Sequence, residues 1–307
     1  MFLSIDDDKY IEGHKKLVDA IHEAGGKVCI QLWQGSIAVG MDRNAKMFMV
    51  QDTLMSTEYT IPGITIDEIN MVEKCYGDAA RRAVEAGYDC LEFHCAHNYL
   101  PHSFLSGGLN HRTDEYGGDL EHRAKFPLEC IREIRNNMPE DRPLFMRIEA
   151  LDDMLPGGNT IEDQIQFSMW AKEEGVDVLN ISRGNIITPA NFYEVPPLDL
   201  TRGFNVDNAA RFREETVMIT MAVGRINTPA FAEKVLEDNK ADLVGMARFV
   251  LCDPDAPNKA KNGNADEIKY CIACDQGCLD GFANVADFPD GITCMRNPQV
   301  GHEIDWA

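Results

Sequence analysis

"CLEFHCAHNYLPHSFLSGGLNHRTDEYGG", residues 90–118, starts as an apolar run and turns, at His94, into a polar stretch with three further histidines. A short apolar run that ends in this way reads as a strand buried on both faces. The same pattern recurs in "KVCIQL" (27–32), "LFMRIEA" (144–150), "VLNISRG" (178–184), "VMITMAV" (217–223) and "DLVGMAR" (242–248). Helical patterns lie between these runs. "TIDEINMVEKCYGDAARRAVEAG" opens with Thr65 and Glu68 at capping-box spacing and puts Ile69, Val72, Tyr76, Ala79 and Ala83 on one face. Thr228 followed by Pro229 predicts a second helix start, and residues 160–177 predict a third helix leading into a strand. Strands alternating with helices imply a parallel sheet under helical cover, either a barrel or an open doubly wound sheet. No G-x-G-x-x-G follows a strand, so a dinucleotide-binding sheet lacks sequence support.

The chain has 307 residues, 44% hydrophobic and 26% charged, with a formal net charge of −22. This is the balance of a globular protein with one large domain or two smaller ones. The acidic charge argues against nucleic acid and anionic membrane surfaces as partners. No apolar run reaches the length of a membrane span, and "MFLSIDDDKY" lacks the basic and apolar regions of a signal peptide, so the expected location is the cytoplasm. Six of the ten cysteines (Cys29, Cys75, Cys90, Cys95, Cys130 and Cys252) are scattered through apolar or helical stretches and read as packed free thiols.

From about residue 251 the alternation stops and "LCDPDAPNKAKNGNADEIKY" is polar and turn-rich, which divides the chain into residues 1–250 and a small appendage, 251–307. The appendage holds the other four cysteines: Cys271, Cys274 and Cys278 in "CIACDQGC", and Cys294 in "GITCMRNP". Four thiolates can hold zinc or an iron–sulfur cluster. A structural zinc site usually draws on two separated cysteine pairs. Three cysteines within eight residues, with a fourth standing alone, is closer to a cluster-binding pattern.

In a (β/α)₈ barrel, chemistry belongs at the C-terminal ends of the strands. The residues found there are Gln31, Trp33 and Gln34 after the first run, the His94 stretch after the second, and Arg147 within the third. The last two runs lead into "AVGR" (222–225) and "GMAR" (245–248). Small residues with an arginine after two successive strands can cradle a phosphate through close backbone N–H groups and a guanidinium.

"HCAHNYLPHSFLSGGLNHRTDEYGGDLEHRAKF" (94–126) resembles the "H-x-A-H-G-Y-L…F-L-S…N-x-R-T-D-x-Y-G-G" signature of the old yellow enzyme family of flavin ene-reductases. "ADLVGMARFVLCDPDAPNKAKNG" resembles that family's last, phosphate-binding strand, and "CIACDQGC…CMRNPQVGHE" resembles the iron–sulfur segment of its larger branch. That branch includes 2,4-dienoyl-CoA reductase, 2-enoate reductase, bile-acid-inducible reductases and trimethylamine dehydrogenase. The resemblance implies a (β/α)₈ barrel of the TIM type binding FMN. Gln31 and Arg147 would face the pyrimidine edge of the flavin, and Gly224, Arg225, Ala247 and Arg248 would hold its phosphate. His94 and His97 match the pair that hydrogen-bonds the substrate carbonyl, and Tyr99 matches the proton donor to the α-carbon. His-x-x-His also occurs in zinc sites, but no third ligand stands near this pair. His102 and His111 carry weaker claims, and "RTDEYGGD" reads as a turn with Asp119 as N-cap. Cys271, Cys274, Cys278 and Cys294 would hold a [4Fe–4S] cluster that relays electrons between a distal FAD and the FMN.

Against that family pattern, two strands and two cofactor domains are absent. Six strand runs are counted where a barrel needs eight. The first two are expected before Met1, and the FAD- and NAD(P)H-binding domains after the chain's end or on a partner. This chain is therefore expected to bind FMN weakly by itself. "QLWQGSIAVG" also departs from the relatives' "Q-L-x-H-x-G-R" at Gln34, Ser36 and Ile37, which bears on substrate choice. The expected function is an FMN- and [4Fe–4S]-dependent ene-reductase acting on a small α,β-unsaturated acid, acyl thioester or enone. The alternatives are amine oxidation of the trimethylamine dehydrogenase kind, in which an aromatic bowl binds the cation, and a partial barrel that works only with a partner chain. With three tryptophans, Trp33, Trp170 and Trp306, the chain is poorly supplied for such a bowl. Homo-oligomerisation is left open.

Overall fold

The computed structural model describes residues 3–35, 47–283 and 291–305; Ser36, Ile37 and Trp306 lie outside them. A six-stranded, wholly parallel sheet organises the chain, with strands in the order β1 (Cys29–Leu32), β4 (Cys90–Cys95), β5 (Leu144–Glu149), β6 (Val178–Ser182), β7 (Ile219–Ala222) and β8 (Leu243–Val244). All six expected runs are strands, in sequence order across the sheet. β2 (Thr53–Ser56) and β3 (Tyr59–Ile61) form a separate antiparallel hairpin that the reading above did not predict. Among the described residues, β1 and β8 each pair on one side only.

The sheet has two unlike faces. Leu91, Phe93, Cys95, Leu144, Met146, Ile148, Leu179 and Ile181 alternate along β4 to β6 and are fully buried under the helices. Burial of a side chain of this size contributes about 1.5–3 kcal/mol, so this face supplies much of the fold's stability. Phe93, for example, meets Tyr76 of helix α2 (Ile66–Ala86) edge-on at 5.2 Å between ring centroids. On the opposite face, in register across the strands, stand Gln31, Glu92, His94, Arg147, Asn180 and Met221. That face is polar towards the C-terminal ends of the strands.

The helices follow the capping signals. α2 opens on a Thr65–Glu68 capping box and buries Ile69, Val72, Tyr76 and Ala83. α1 (Ile11–Glu23) precedes β1, α3 (Leu100–Leu105) follows β4, and α4 (Leu120–Asn136) is capped by Asp119, which accepts from His122 N–H. α5 (Ile161–Glu173) starts on a Thr160–Asp163 capping box. α6 (Asn191–Glu194) is a single turn, and α7 (Val206–Thr216) precedes β7. α8 (Pro229–Glu237) starts at Thr228 and Pro229 as expected. Phe249 of α9 (Ala247–Cys252) and Ala256 of α10 (Ala256–Lys261) form a small second core with Ile268. α11 (Leu279–Ala283) follows the cysteine run. Asn227 Nδ2 donates to Cys271 O at 2.9 Å and Asn297 Nδ2 to Leu251 O at 3.0 Å, tying that run to the sheet's C-terminal end. Among the described residues, no helix is long and apolar enough to cross a membrane.

Candidate functional site

A cavity of about 260 Å³ opens where the strands end, lined by Arg147, Asn180, Ser182, Glu194, Arg225 and Arg248 among others. The stretch that opens the sequence reading adjoins this cavity through His97, whose ring meets Ser182 and Glu194 of the lining. His94 sits near the end of β4 with its Nδ1 accepting the Ala96 N–H at 3.4 Å, which assigns the ring proton to Nε2. The backbone then turns left-handed at His97 (φ 60°) and Asn98 (φ 59°). A left-handed residue with a side chain costs roughly 1–2 kcal/mol, and asparagine tolerates it best. Asn98 stands where the family signature has glycine, the residue that adopts this conformation freely. The turn brings four rings together: His94 to His97 at 5.1 Å, His94 to Tyr99 at 5.0 Å, and Tyr99 to Trp33 at 5.1 Å.

His97 is gripped on both ring nitrogens. Its Nδ1 lies 3.2 Å from Glu194 Oε1 and its Nε2 lies 2.8 Å from Ser182 Oγ, which also accepts from Arg147 Nη2 at 3.1 Å. Burial, with Arg147 and His102 adding, holds the His97 pKa well below the usual histidine range. Burial, then His97 and Arg147, does the same to His94. Both rings are therefore neutral hydrogen-bonding groups at neutral pH. Burial and the Glu194 charge push Tyr99 up, with Arg147 opposing, so its hydroxyl keeps its proton. Burial raises Glu194 to about 7, again against Arg147.

Below the histidines runs a hydrogen-bonded row. Gln31 Nε2 and Asn180 Nδ2 each donate to Glu92, both at 2.7 Å. Arg147 stands beside His94 in register. Arg147 Nε, Asn180 Oδ1, Arg225 Nε and Asn227 Oδ1 are buried without a hydrogen-bond partner among the described residues, and all four side chains line the cavity. Such a concentration of unsatisfied donors and acceptors fits a polar ligand such as a flavin. At the far end, a Cβ on Gly224 (φ 121°) would come within 2.8 Å of the Phe204 ring, and one on Gly245 within 2.7 Å of Val223 Cγ1. Only glycine leaves this backbone open. Ala247 begins α9 and lines the same wall. The two arginines expected to hold phosphate are partly engaged: Arg225 donates to Leu198 O and Leu200 O, and Arg248 pairs with Asp275 and donates to Pro196 O at 2.9 Å. Of the residues expected from sequence to contact FMN, Arg147, Gly224, Arg225, Ala247 and Arg248 line this one cavity, whereas Gln31 does not line it and is linked to it through Glu92 and Asn180.

The four cysteines of the appendage line a second, smaller pocket together with Arg248. Arg248 and Cys271 belong to both cavities. The loop carries Ala273 (φ 54°) and Asp275 (φ 60°) in left-handed conformations. Cys271 Sγ accepts from Ala273 N–H at 3.3 Å and Cys294 Sγ from Arg296 N–H at 3.4 Å. Backbone N–H groups aimed at sulfur suit thiolate ligands of a metal centre. Among the described residues, His102, Glu149 and Asp152 also offer ligating atoms that all lie within 4.8 Å of one another.

Several residues of the site were missed from sequence. Glu92, Asn180 and Ser182 carried a usable signal, because each is a polar residue inside an apolar strand and on the parity of the cavity-facing side. Glu194 carried none, since it ends a single-turn helix without periodicity. His102 is not in the cavity but fully buried behind it, against Asp152. His111 is exposed and bonds Gln51 at 3.2 Å.

Comparison with known proteins agrees with this geometry. The description "NADH:flavin oxidoreductase / NADH oxidase family" matches residues 3–267. An NADH oxidase of Thermoanaerobacter brockii is 36% identical over 306 residues, covering 98% of this chain and 46% of that protein. An NADPH dehydrogenase of Bacillus subtilis (strain 168) is 36% identical over 276 residues, covering 90% of this chain and 78% of the relative. The structure of a 2-naphthoyl-CoA reductase in complex with 2-naphthoyl-CoA superposes with a TM-score of 0.87 at 29% identity, over 99% of this chain and 47% of the other. The chain thus spans about half the length of the first of these relatives.

Proposed function

The chain belongs to the NADH:flavin oxidoreductase / NADH oxidase family, the old yellow enzyme family, and from that premise we propose that it is the FMN- and [4Fe–4S]-binding part of an ene-reductase. The observation that carries this reading is the shared wall of the two cavities: Arg248 and Cys271 face both the cavity lined by Arg147, Ser182 and Glu194, against whose wall the His97 ring packs, and the four-cysteine pocket. FMN supplies hydride chemistry when bound. The chain's own residues do the rest. Gln31 and Arg147 would hold the flavin's pyrimidine edge, where negative charge collects on reduction. Gly224, Ala247 and the neighbouring Arg225 and Arg248 line the place for the phosphate. His94 donates from Nε2 to a substrate carbonyl and stabilises the enolate-like charge that develops there. His97 holds the adjoining wall, and it joins His94 as a carbonyl donor only by giving up Glu194 or Ser182. Tyr99 keeps its hydroxyl proton available for the α-carbon. Cys271, Cys274, Cys278 and Cys294 hold the cluster. The division near residue 250 then separates the flavin-binding layer from the cluster segment, although α9 runs across it. FAD and NAD(P)H belong to further domains or to a partner.

The substrate is proposed to be a conjugated enone, acid or acyl thioester; the thioester named for the 2-naphthoyl-CoA reductase supports the last of these. A second reading, amine oxidation, draws support from Glu194, whose carboxylate on the cavity wall suits a cationic substrate. One experiment tests both. Anaerobically purified protein is assayed for iron and acid-labile sulfide, and its reduced flavin is exposed to enones, cinnamate-type acids and enoyl thioesters, while its oxidised flavin is exposed to methylamines. Reoxidation by conjugated carbonyls with about four irons per chain is expected. Zinc without sulfide would overturn the cluster, and flavin reduction by amines alone would overturn ene-reduction.

A further inference from the structure

We propose that Glu149 is a positioning residue: its buried carboxyl group accepts the His97 N–H and thereby fixes the left-handed turn that aims His97 and Tyr99. Glu149 ends β5, is fully buried, and lies in register with Ser182, the last residue of β6. Its Oε1 takes the His97 N–H. Ser182 takes the same residue's ring at Nε2 and Glu194 takes it at Nδ1. Three elements, β5, β6 and α6, thus hold one residue at three different atoms.

A second pin sits beside the first. The next backbone N–H, that of Asn98, donates to His102 Nδ1 at 3.0 Å. His102 Nε2 lies 2.8 Å from Asp152 Oδ1; against burial, the Glu149 and Asp152 charges would raise His102 to about 9, but burial keeps Glu149 protonated, and the Asn98 N–H aimed at Nδ1 assigns the ring proton to Nε2. Two successive N–H groups of a left-handed turn point the same way and need two acceptors. Here those acceptors are side chains with no access to solvent. Both pinning atoms, Glu149 Oε1 and His102 Nδ1, already accept from backbone N–H groups.

Either protonation state of Glu149 retains an oxygen that can accept, so the amide of Glu149→Gln should replace it, whereas Glu149→Ala leaves the His97 N–H buried and unpaired. The test uses the full chain labelled with ¹⁵N in histidine and backbone amides, with His97 assigned by comparison with His97→Gln. In the unmodified chain, His97 is expected in the Nδ1–H tautomer, with a slowly exchanging, downfield-shifted amide proton. Glu149→Ala should mix the two tautomers and speed exchange of that amide at least tenfold. Glu149→Gln should keep both signatures. If Glu149→Ala does not fold, the unmodified chain still decides, because a fast-exchanging, unshifted His97 amide overturns the proposal. Unchanged His97 signals in a folded Glu149→Ala chain overturn it as well. None of these readouts requires flavin or substrate, so failure of the ene-reductase reading would leave the test intact.

Discussion

Glu194 sets burial against charge at the edge of the site. Burial raises its pKa to about 7, from 4.5 in the unfolded chain, and Arg147 offsets only part of the rise. The folded state therefore holds this proton more tightly than the unfolded state. Stability on this account falls as pH rises from about 4.5 to about 7, and the penalty is complete above that window. Glu194→Gln removes the penalty. It is expected to stabilise the protein by roughly 1–3 kcal/mol at pH 8, at about 1.4 kcal/mol per pKa unit, and by little at pH 4. Urea unfolding of both proteins at the two pH values checks this, and an equal gain at both would mean that the carboxylate is not strained. The residue also marks the limit of legibility. His94, Tyr99 and Arg147 could be placed because each lies in or just beyond a strand whose apolar run is visible. Glu194 reaches the cavity through a loop whose path depends on tertiary packing, so no local pattern announces it.

Helices were more legible than strands for a physical reason. A capping box is a local hydrogen-bonding device, and Thr65–Glu68, Thr160–Asp163 and Thr228–Pro229 all sit where helices begin. Strand ends depend on partners distant in sequence. β8 is only Leu243–Val244 within the apolar run 242–248, because Ala247 already starts α9. The β2–β3 hairpin was invisible because its connection, Thr57-Glu58, contains none of the glycine or asparagine that signals a two-residue turn. Helix packing brings its own consequence. Glu73 of α2 faces Glu129 of α4, and burial, then the Glu129 charge and hydrogen bond, then Glu133, raise Glu73 to about 8, with Lys125 opposing. A proton shared at this interface favours the fold at low pH and is lost as pH rises from about 4.5 to about 8. Glu73→Gln should therefore raise the melting temperature at pH 9 by a few degrees, at about 2–4 °C per kcal/mol, and leave it nearly unchanged at pH 4. A loss of stability at pH 9 would show that the charge is stabilising instead.

The whole molecule is a sheet sealed on one side and partly open on the other. Its helix-facing residues on β4 to β6 are fully buried, whereas on the cavity-facing side Ile219 keeps 51% of its surface exposed and Leu243 keeps 40%. β1 and β8 have free outer edges among the described residues. The order of strands was legible because each apolar run is followed by its own helix and the crossovers are local. How Arg248, Asn227 and Asn297 bind the cysteine run to the sheet was not, because those contacts join segments that share no local pattern. This architecture bears directly on cofactor retention. Of the residues proposed to contact FMN, Gln31 and Arg147 stand on strands and Gly224 and Ala247 just beyond them, and nothing among the described residues closes the gap between β8 and β1. A ligand held from one side dissociates readily, since the water-excluding rim that slows exit is incomplete. We expect the isolated chain to take up added FMN, quenching its fluorescence, and to lose it on gel filtration. A chain that leaves the column yellow, with flavin near one per protein, would show that six strands suffice.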